Sequence, residues 1–152
     1  MNPAPRSIPQ AILWGGFVAG TIDIGAASVI NWLNPVIIMQ AIASGALGKA
    51  SFQGGLYSAA LGVVLQWAMA ILIAAIYVLA ATRIPRLGRQ WVAGGLLYGV
   101  VVYFVMTYVV VPLSAAGFSH GFHLRSFIEN MLAMLLFGLI VAFFQRRFAY
   151  QN

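Results

Sequence analysis

Four long runs of apolar residues make up most of this chain, and each is about long enough to cross a bilayer. A transmembrane helix needs about 20 such residues. Only 7% of the 152 residues are charged, too few to cover the surface of a soluble domain. The sequence therefore predicts one integral membrane domain, residues 1–152, of the all-α class. The expected spans are about 10–30, 56–81, 91–111 and 127–144.

A shorter apolar segment, about residues 35–46, follows the first run. Asn34 suits the N-cap of a helix and Pro35 suits its first position, so a helix is expected to begin there. The segment is too short to span, and such lengths are typical of re-entrant or interfacial helices. Both alternatives stay open. The predicted architecture is four transmembrane helices in an up-down bundle, with this short outer helix after the first span.

The net charge of +6 comes from basic residues between and beyond the predicted spans. Cytoplasmic loops carry the excess of Lys and Arg, so the side with more of them is expected to face the cytoplasm. This places both termini there. The basic residues do not alternate with aromatic ones, so the expected partner is the lipid bilayer and not nucleic acid. One side carries Arg6, Arg83, Arg86, Arg89, Arg146 and Arg147, and the other Lys49 and Arg125.

Asp23 is a carboxylate inside the first predicted span. A charged side chain at the bilayer centre costs about 2.5–3.5 kcal/mol on insertion scales, which makes it a candidate functional residue. The predicted spans contain no Lys or Arg, and desolvation favours the protonated acid. A proton, a metal cation, a cationic substrate or a residue of another chain would neutralise it. The alternative is a permanently protonated Asp23 that only hydrogen-bonds between helices.

Polar residues of other spans lie at about the depth of Asp23 when the helical rise is counted from the span ends. Gln66 and Tyr103 reach that depth, and Thr21 and Thr107 supply hydroxyl groups nearby. These five residues are the predicted ion- or substrate-binding set. Their spacing along the chain gives depth but not the direction in which each side chain points.

Two pairs of glycines repeat at helical spacing, Gly16 with Gly20 and Gly95 with Gly99. Small residues four apart allow helices to approach closely in a membrane. The pairs are therefore predicted helix-packing faces. We expect a homo-oligomer in which copies join along one of these faces, because four spans leave little room for an enclosed path.

The remaining polar residues predict structure more than chemistry. Ser126 and Glu129 have the spacing of a capping box at the start of the fourth span. His120 and His123 are weak candidates for metal binding, because a two-histidine site needs a third ligand. No metal or other cofactor is expected. The chain has no cysteine, which excludes disulfides, thiolate catalysis and cysteine-based metal sites.

Four stretches of the chain carry a resemblance: residues 19–24, 40–45, 97–99 and 108–114. Together they resemble a group of small bacterial inner-membrane proteins that are distantly similar to the YagU-like family. The resemblance extends over about residues 11–145. It implies a bacterial inner membrane and four helices, and it supplies no chemistry.

The sequence favours a small oligomeric transporter or channel-like protein that moves a proton, an inorganic cation or a small cationic compound past Asp23. The alternative is a non-catalytic accessory or assembly subunit that docks on a larger membrane complex. An enzyme is not expected, because the residues do not supply a neighbouring nucleophile and base.

Overall fold

The computed structural model describes residues 7–115 and 124–149, and nearly all of these residues are helical. The helices are α1 (Ile8–Asn31), α2 (Pro35–Leu47), α3 (Gly55–Arg83), α4 (Pro85–Arg89), α5 (Trp91–Val105), α6 (Val111–Leu113) and α7 (Leu124–Phe144). A 3-10 segment, Gly48–Gln53, follows α2. Two π-helical segments, Met106–Val110 and Gln145–Ala149, continue α5 and α7.

The prediction of an all-α membrane protein is confirmed. Within the described residues, five helical stretches are long and apolar enough to cross a membrane, one more than the four expected. The additional stretch is Pro35–Gln53. The predicted helix ended near residue 46, and α2 itself ends at Leu47. The 3-10 segment that follows it lengthens the stretch to 19 residues.

The start of α2 follows the local rules. The Asn34 side chain accepts a hydrogen bond from the Val36 N–H at 2.9 Å, and Pro35 occupies the first helical position. This cap satisfies one of the backbone donors that a helix start leaves unpaired. The predicted N-cap is therefore confirmed.

Helices α1 and α3 run antiparallel and pack through small residues. A methyl group added at Gly16 would lie 2.5 Å from the Ile71 Cα, and one added at Gly20 would lie 2.8 Å from the Ala70 Cβ. Neither position has room for a side chain unless α3 moves. The two glycines therefore set the distance between these helices.

Helices α5 and α7 also run antiparallel, and their backbones meet directly. A Cβ at Gly95 would lie 2.8 Å from the Gly138 carbonyl oxygen, and one at Gly99 would overlap the Met134 backbone. Both predicted glycine faces are thus filled by helices of the same chain. Copies of the protein cannot join along them as expected, because the space is already taken.

A buried core lies where α1, α3 and α7 meet. Ala19 is 1% exposed, and Ala74 and Val141 are fully buried. The N-terminal end of α1 lies beside the π-helical segment after α7, since the Ser7 N–H donates to the Phe148 carbonyl oxygen at 3.0 Å. The start of α1, the end of α3 and the end of the chain's last span therefore share one end of the bundle.

Helix α2 covers the opposite end. Ile38 and Met39 pack with Ala59 of α3, and Ala27 of α1 borders the same cluster. The end of α2 also contacts the residues that follow α6, because the Ala115 N–H donates to the Gly45 carbonyl oxygen at 2.9 Å. This end of the molecule thus combines the last turns of α1, the first turns of α3 and the region after α6.

Candidate functional site

The site begins with one polar contact between α1 and α3. The Gln66 Nε2 donates a hydrogen bond to the Asp23 Oδ2 at 2.8 Å. Gly20, one turn before the acid, allows α3 to approach closely enough for this bond. Counting helical rise predicts that these two residues share a depth, and the structure brings them together.

A cavity of about 40 Å³ adjoins the carboxylate. A water molecule needs roughly 10–15 Å³ of such space, so the cavity has room for two or three waters or for a small ion. Its wall combines two polar side chains with thioethers and hydrocarbon. The lining residues are Asp23, Gln66, Met69, Ala70, Ile73, Met106, Met134 and Phe137.

The described lining of the cavity contains one acidic side chain and no basic one. Among the described residues that line it there is no Lys, Arg or His to balance Asp23. The chain's other acid, Glu129, is paired elsewhere, since its Oε1 accepts a hydrogen bond from the Arg125 Nε at 2.8 Å. Asp23 therefore faces the cavity with an amide donor as partner and without a neutralising charge from the lining.

Thr21 belongs to the same helix contact but not to the cavity lining. Its hydroxyl donates to the Phe17 carbonyl oxygen at 2.7 Å and accepts a hydrogen bond from the Trp67 Nε1 at 3.3 Å. The rings of Phe17 and Trp67 also meet, with centroids 4.9 Å apart. Trp67 thus packs and hydrogen-bonds on the outer side of the α1–α3 contact.

Tyr103 and Thr107 are not brought to the cavity. The Tyr103 ring is buried against Phe104 and Phe127, with centroids 5.5 and 5.4 Å away, while Thr107 is exposed. Helix α5 packs mainly on α7. That packing turns Tyr103 toward Phe127 of α7, so the predicted five-residue cluster does not form.

Three methionines of the cavity wall, Met69, Met106 and Met134, were not predicted from the sequence. Met69 lies three residues after Gln66, on the same face of α3, and this spacing was the available signal. Met106 begins the π-helical segment, where the Val111 N–H donates to the Met106 carbonyl oxygen. Pro112 explains the wide turn, because it lacks an N–H and its ring crowds the preceding turn.

The predicted capping box at Ser126 and Glu129 is wrong. Helix α7 begins at Leu124, so Ser126 is already inside the first turn. Its carbonyl oxygen accepts a hydrogen bond from the Asn130 Nδ2 at 2.8 Å, and Glu129 pairs with Arg125. The helix starts too early for Ser126 to serve as its cap.

The two histidines considered as weak metal candidates, His120 and His123, lie outside the described residues. Within the described ranges, no three side chains of the His, Cys, Asp and Glu types cluster as a metal site would require. Thioether sulfur is a further class of metal ligand, and three methionines line the cavity beside Asp23.

Comparison of this chain with protein-family models, with curated proteins and with solved structures gave no match. The resemblance to YagU-like proteins therefore stays a prediction. The features that bear on function are the geometry of the cavity beside Asp23 and the charge of the residues that line it.

Proposed function

We propose that this protein is a small membrane transporter or channel-like protein that moves a proton or a cation past Asp23. One observation carries the proposal: a carboxylate in the membrane-spanning bundle lines a cavity whose described wall supplies no positive charge. An ionised carboxylate in such surroundings is costly unless it is paired. A mobile proton or cation that visits the cavity would remove that cost.

The proposal includes four crossings, with α2 and its 3-10 extension held at one side of the membrane. The path of the chain supports this number of crossings. Ala27 near the end of α1 and Ala59 near the start of α3 pack on the same cluster with α2, so the chain enters and leaves α2 at one end of the bundle. Only Gly48–Gln53 connects α2 to α3. At about 2 Å per residue this segment is far too short to recross a core of about 30 Å.

Four crossings return both termini to one side, and the positions of the arginines support a cytoplasmic orientation for that side. Arg83, Arg86 and Arg89 lie in and beside α4, and Arg146 and Arg147 follow α7. The Arg146 guanidinium lies 5.6 Å from the centroid of the Trp91 ring. Cations beside an aromatic ring are typical of a membrane interface rich in anionic headgroups. The proposed location is the bacterial inner membrane, as the resemblance implies.

An assembly of copies is also part of the proposal, because the partly open space that one chain provides beside Asp23 is only about 40 Å³. The copies would have to meet through surfaces other than the two glycine faces. A longer path could then form where two or more bundles adjoin.

The test is proton and cation flux in liposomes that contain the purified protein. Asp23→Asn keeps the size of the side chain and its ability to bond Gln66 but removes the charge. We expect it to abolish the flux that the wild type adds to empty liposomes. Glu129→Gln is the matched control, since it removes the other acid, which pairs with exposed Arg125, and its flux should equal that of the wild type.

Equal flux in the wild type and Asp23→Asn would contradict the proposal. Purification gives a second check on the same preparation. A different protein that copurifies at constant stoichiometry, with no flux from this chain alone, would favour the accessory-subunit alternative.

A further inference from the structure

The methionines of this chain are unevenly distributed around the bundle. The sequence has six, and three of them, Met69, Met106 and Met134, line the one cavity that also contains Asp23. They come from α3, from the π-helical segment after α5 and from α7. Three separate elements therefore bring thioether side chains to the same carboxylate.

Methionine often fills irregular gaps in a core because its side chain is flexible. That role accounts for Met39, which is 5% exposed and packs between α2 and α3. It accounts less well for the other three, because the space between them is not filled. About 40 Å³ remains open beside Asp23, and the π-helical turn begins at Met106. Such turns occur frequently at functional sites.

Thioether sulfur is a soft ligand and selects soft monovalent ions such as Cu(I), whereas Na⁺, Mg²⁺ and Ca²⁺ prefer oxygen ligands. The charge of the cavity wall also favours a monovalent ion. One carboxylate neutralises one monovalent cation, so the filled cavity would carry no net charge. A divalent ion would leave an uncompensated positive charge within the bundle, which is costly.

We propose that this cavity is a binding site for a soft monovalent cation of the Cu(I) type, with the thioethers of Met69, Met106 and Met134 and the carboxylate of Asp23 as its ligands. The site rests on the proposed function, because Asp23 is the residue past which the transported ion moves. It narrows the substrate class from cations in general to thiophilic monovalent ions. Gln66 holds the carboxylate in position through its hydrogen bond.

The first experiment measures Ag⁺ binding to the full-length protein in detergent. Ag⁺ is the probe because it shares the softness and charge of Cu(I) and does not undergo redox cycling in air. We expect one tightly bound Ag⁺ per chain by equilibrium dialysis and elemental analysis. Replacing all three lining methionines by leucine, which nearly conserves volume, should weaken binding by at least about tenfold, the scale seen for disturbed metal sites.

The chain offers matched controls for this substitution. Met39→Leu changes a buried methionine away from the cavity, and Met131→Leu changes one on α7 that does not line it. Both should bind Ag⁺ as the wild type does. Asp23→Asn should weaken binding because it removes the neutralising charge.

X-ray absorption at the silver edge gives a readout that does not depend on folding of the triple variant. The wild-type spectrum should contain sulfur neighbours, although the chain has no cysteine. No Ag⁺ bound to the wild type, oxygen and nitrogen neighbours only, or unchanged affinity in the triple variant would each overturn the site.

The two proposals can fail separately. Proton or alkali-ion flux that depends on Asp23, combined with the absence of Ag⁺ binding, would overturn the soft-cation site and leave the transporter proposal intact. Sulfur-coordinated Ag⁺ that is lost in the triple variant, with no Asp23-dependent flux of any ion, would support the site and contradict transport.

Discussion

The two glycine contacts of this bundle use the same kind of residue for different ends. Between α5 and α7, Gly95 and Gly138 bring backbone against backbone. Between α1 and α3, Gly16 and Gly20 meet Ile71 and Ala70, and the contact continues into the Asp23–Gln66 hydrogen bond. One contact is sealed by backbone atoms, and the other carries polar groups and borders a cavity.

The contrast between these contacts shows how a membrane bundle can hold a half-buried acid. Lipid tails give no hydrophobic drive for helices to associate, so close packing and interhelical hydrogen bonds stabilise the bundle. The α5–α7 contact supplies the close packing. The α1–α3 contact, which is less closely sealed beyond Gly20, has room for Asp23 and for the cavity. Substitutions in the two contacts should therefore separate stability from transport.

The largest effect is expected at the sealed contact. Gly99→Val would drive a branched side chain into the Met134 backbone, which cannot move without separating α5 from α7. We expect a loss of about 3 kcal/mol or more in the free energy of unfolding, the upper range for overpacking. Unfolding in mixed detergent micelles measures it. Gly25→Ala is the control, because a methyl group there meets nothing within 4 Å, and its stability should change little.

A smaller effect is expected at the polar contact. Gly20→Ala places a methyl group 2.8 Å from the Ala70 Cβ, so α3 must shift by a fraction of an ångström. We expect about 1–2 kcal/mol of destabilisation and a reduced flux in liposomes, because Gln66 moves away from Asp23. Unchanged flux at this position would mean that the close approach of α3 is not needed for transport.

The Asp23–Gln66 pair itself should contribute less than either packing contact. A double-mutant cycle with Asp23→Ala and Gln66→Ala should give a coupling of about 0.6 kcal/mol, with about 1.7 as the upper end for hydrogen bonds in membranes. Unfolding of the four variants provides the value. A coupling near zero would indicate that the bond is not maintained in the bilayer.

The smallest effect on transport, with a loss of stability similar to that of the polar pair, is expected at Tyr98, whose hydroxyl donates to the Ile73 carbonyl oxygen at 2.6 Å. Tyr98→Phe removes this bond between the two halves of the bundle and keeps the ring, which packs on Tyr77 with centroids 5.0 Å apart. We expect a loss of about 0.5–1 kcal/mol and wild-type flux, since Tyr98 does not line the cavity. A large loss of flux would connect this residue to the site after all.

Sequence patterns predicted several features that depend on position along the chain. Hydrophobic length indicated the membrane class, Asn34 and Pro35 indicated the start of α2, and counting the rise indicated that Asp23 and Gln66 share a depth. The direction of a side chain around its helix depends on which helices pack together. This is why counting the rise gave Asp23 its observed partner Gln66, whereas Tyr103 contacts Phe104 and Phe127 and does not line the cavity.

The residues at which helices start and end, and the side chains that meet between helices, were predicted less well. The capping box failed because α7 starts at Leu124, two residues before Ser126. The α2 stretch exceeded its expected length because the 3-10 segment Gly48–Gln53 continues it. No role was predicted for Met69, Met106 and Met134, because only the packing of three elements brings them to one cavity.

The sequence separation of Asp23 and Gln66 has a consequence for synthesis of the protein. The two residues are 43 positions apart, so the ribosome releases the acid well before its amide partner exists. Insertion of α1 must then proceed with an unpaired acid, at a cost of about 2.5–3.5 kcal/mol near the bilayer centre, and α1 is less apolar than α3. Arrival of α3 supplies the missing donor and the close packing at Gly16 and Gly20, so α1 gains these stabilising contacts only after α3 has been made.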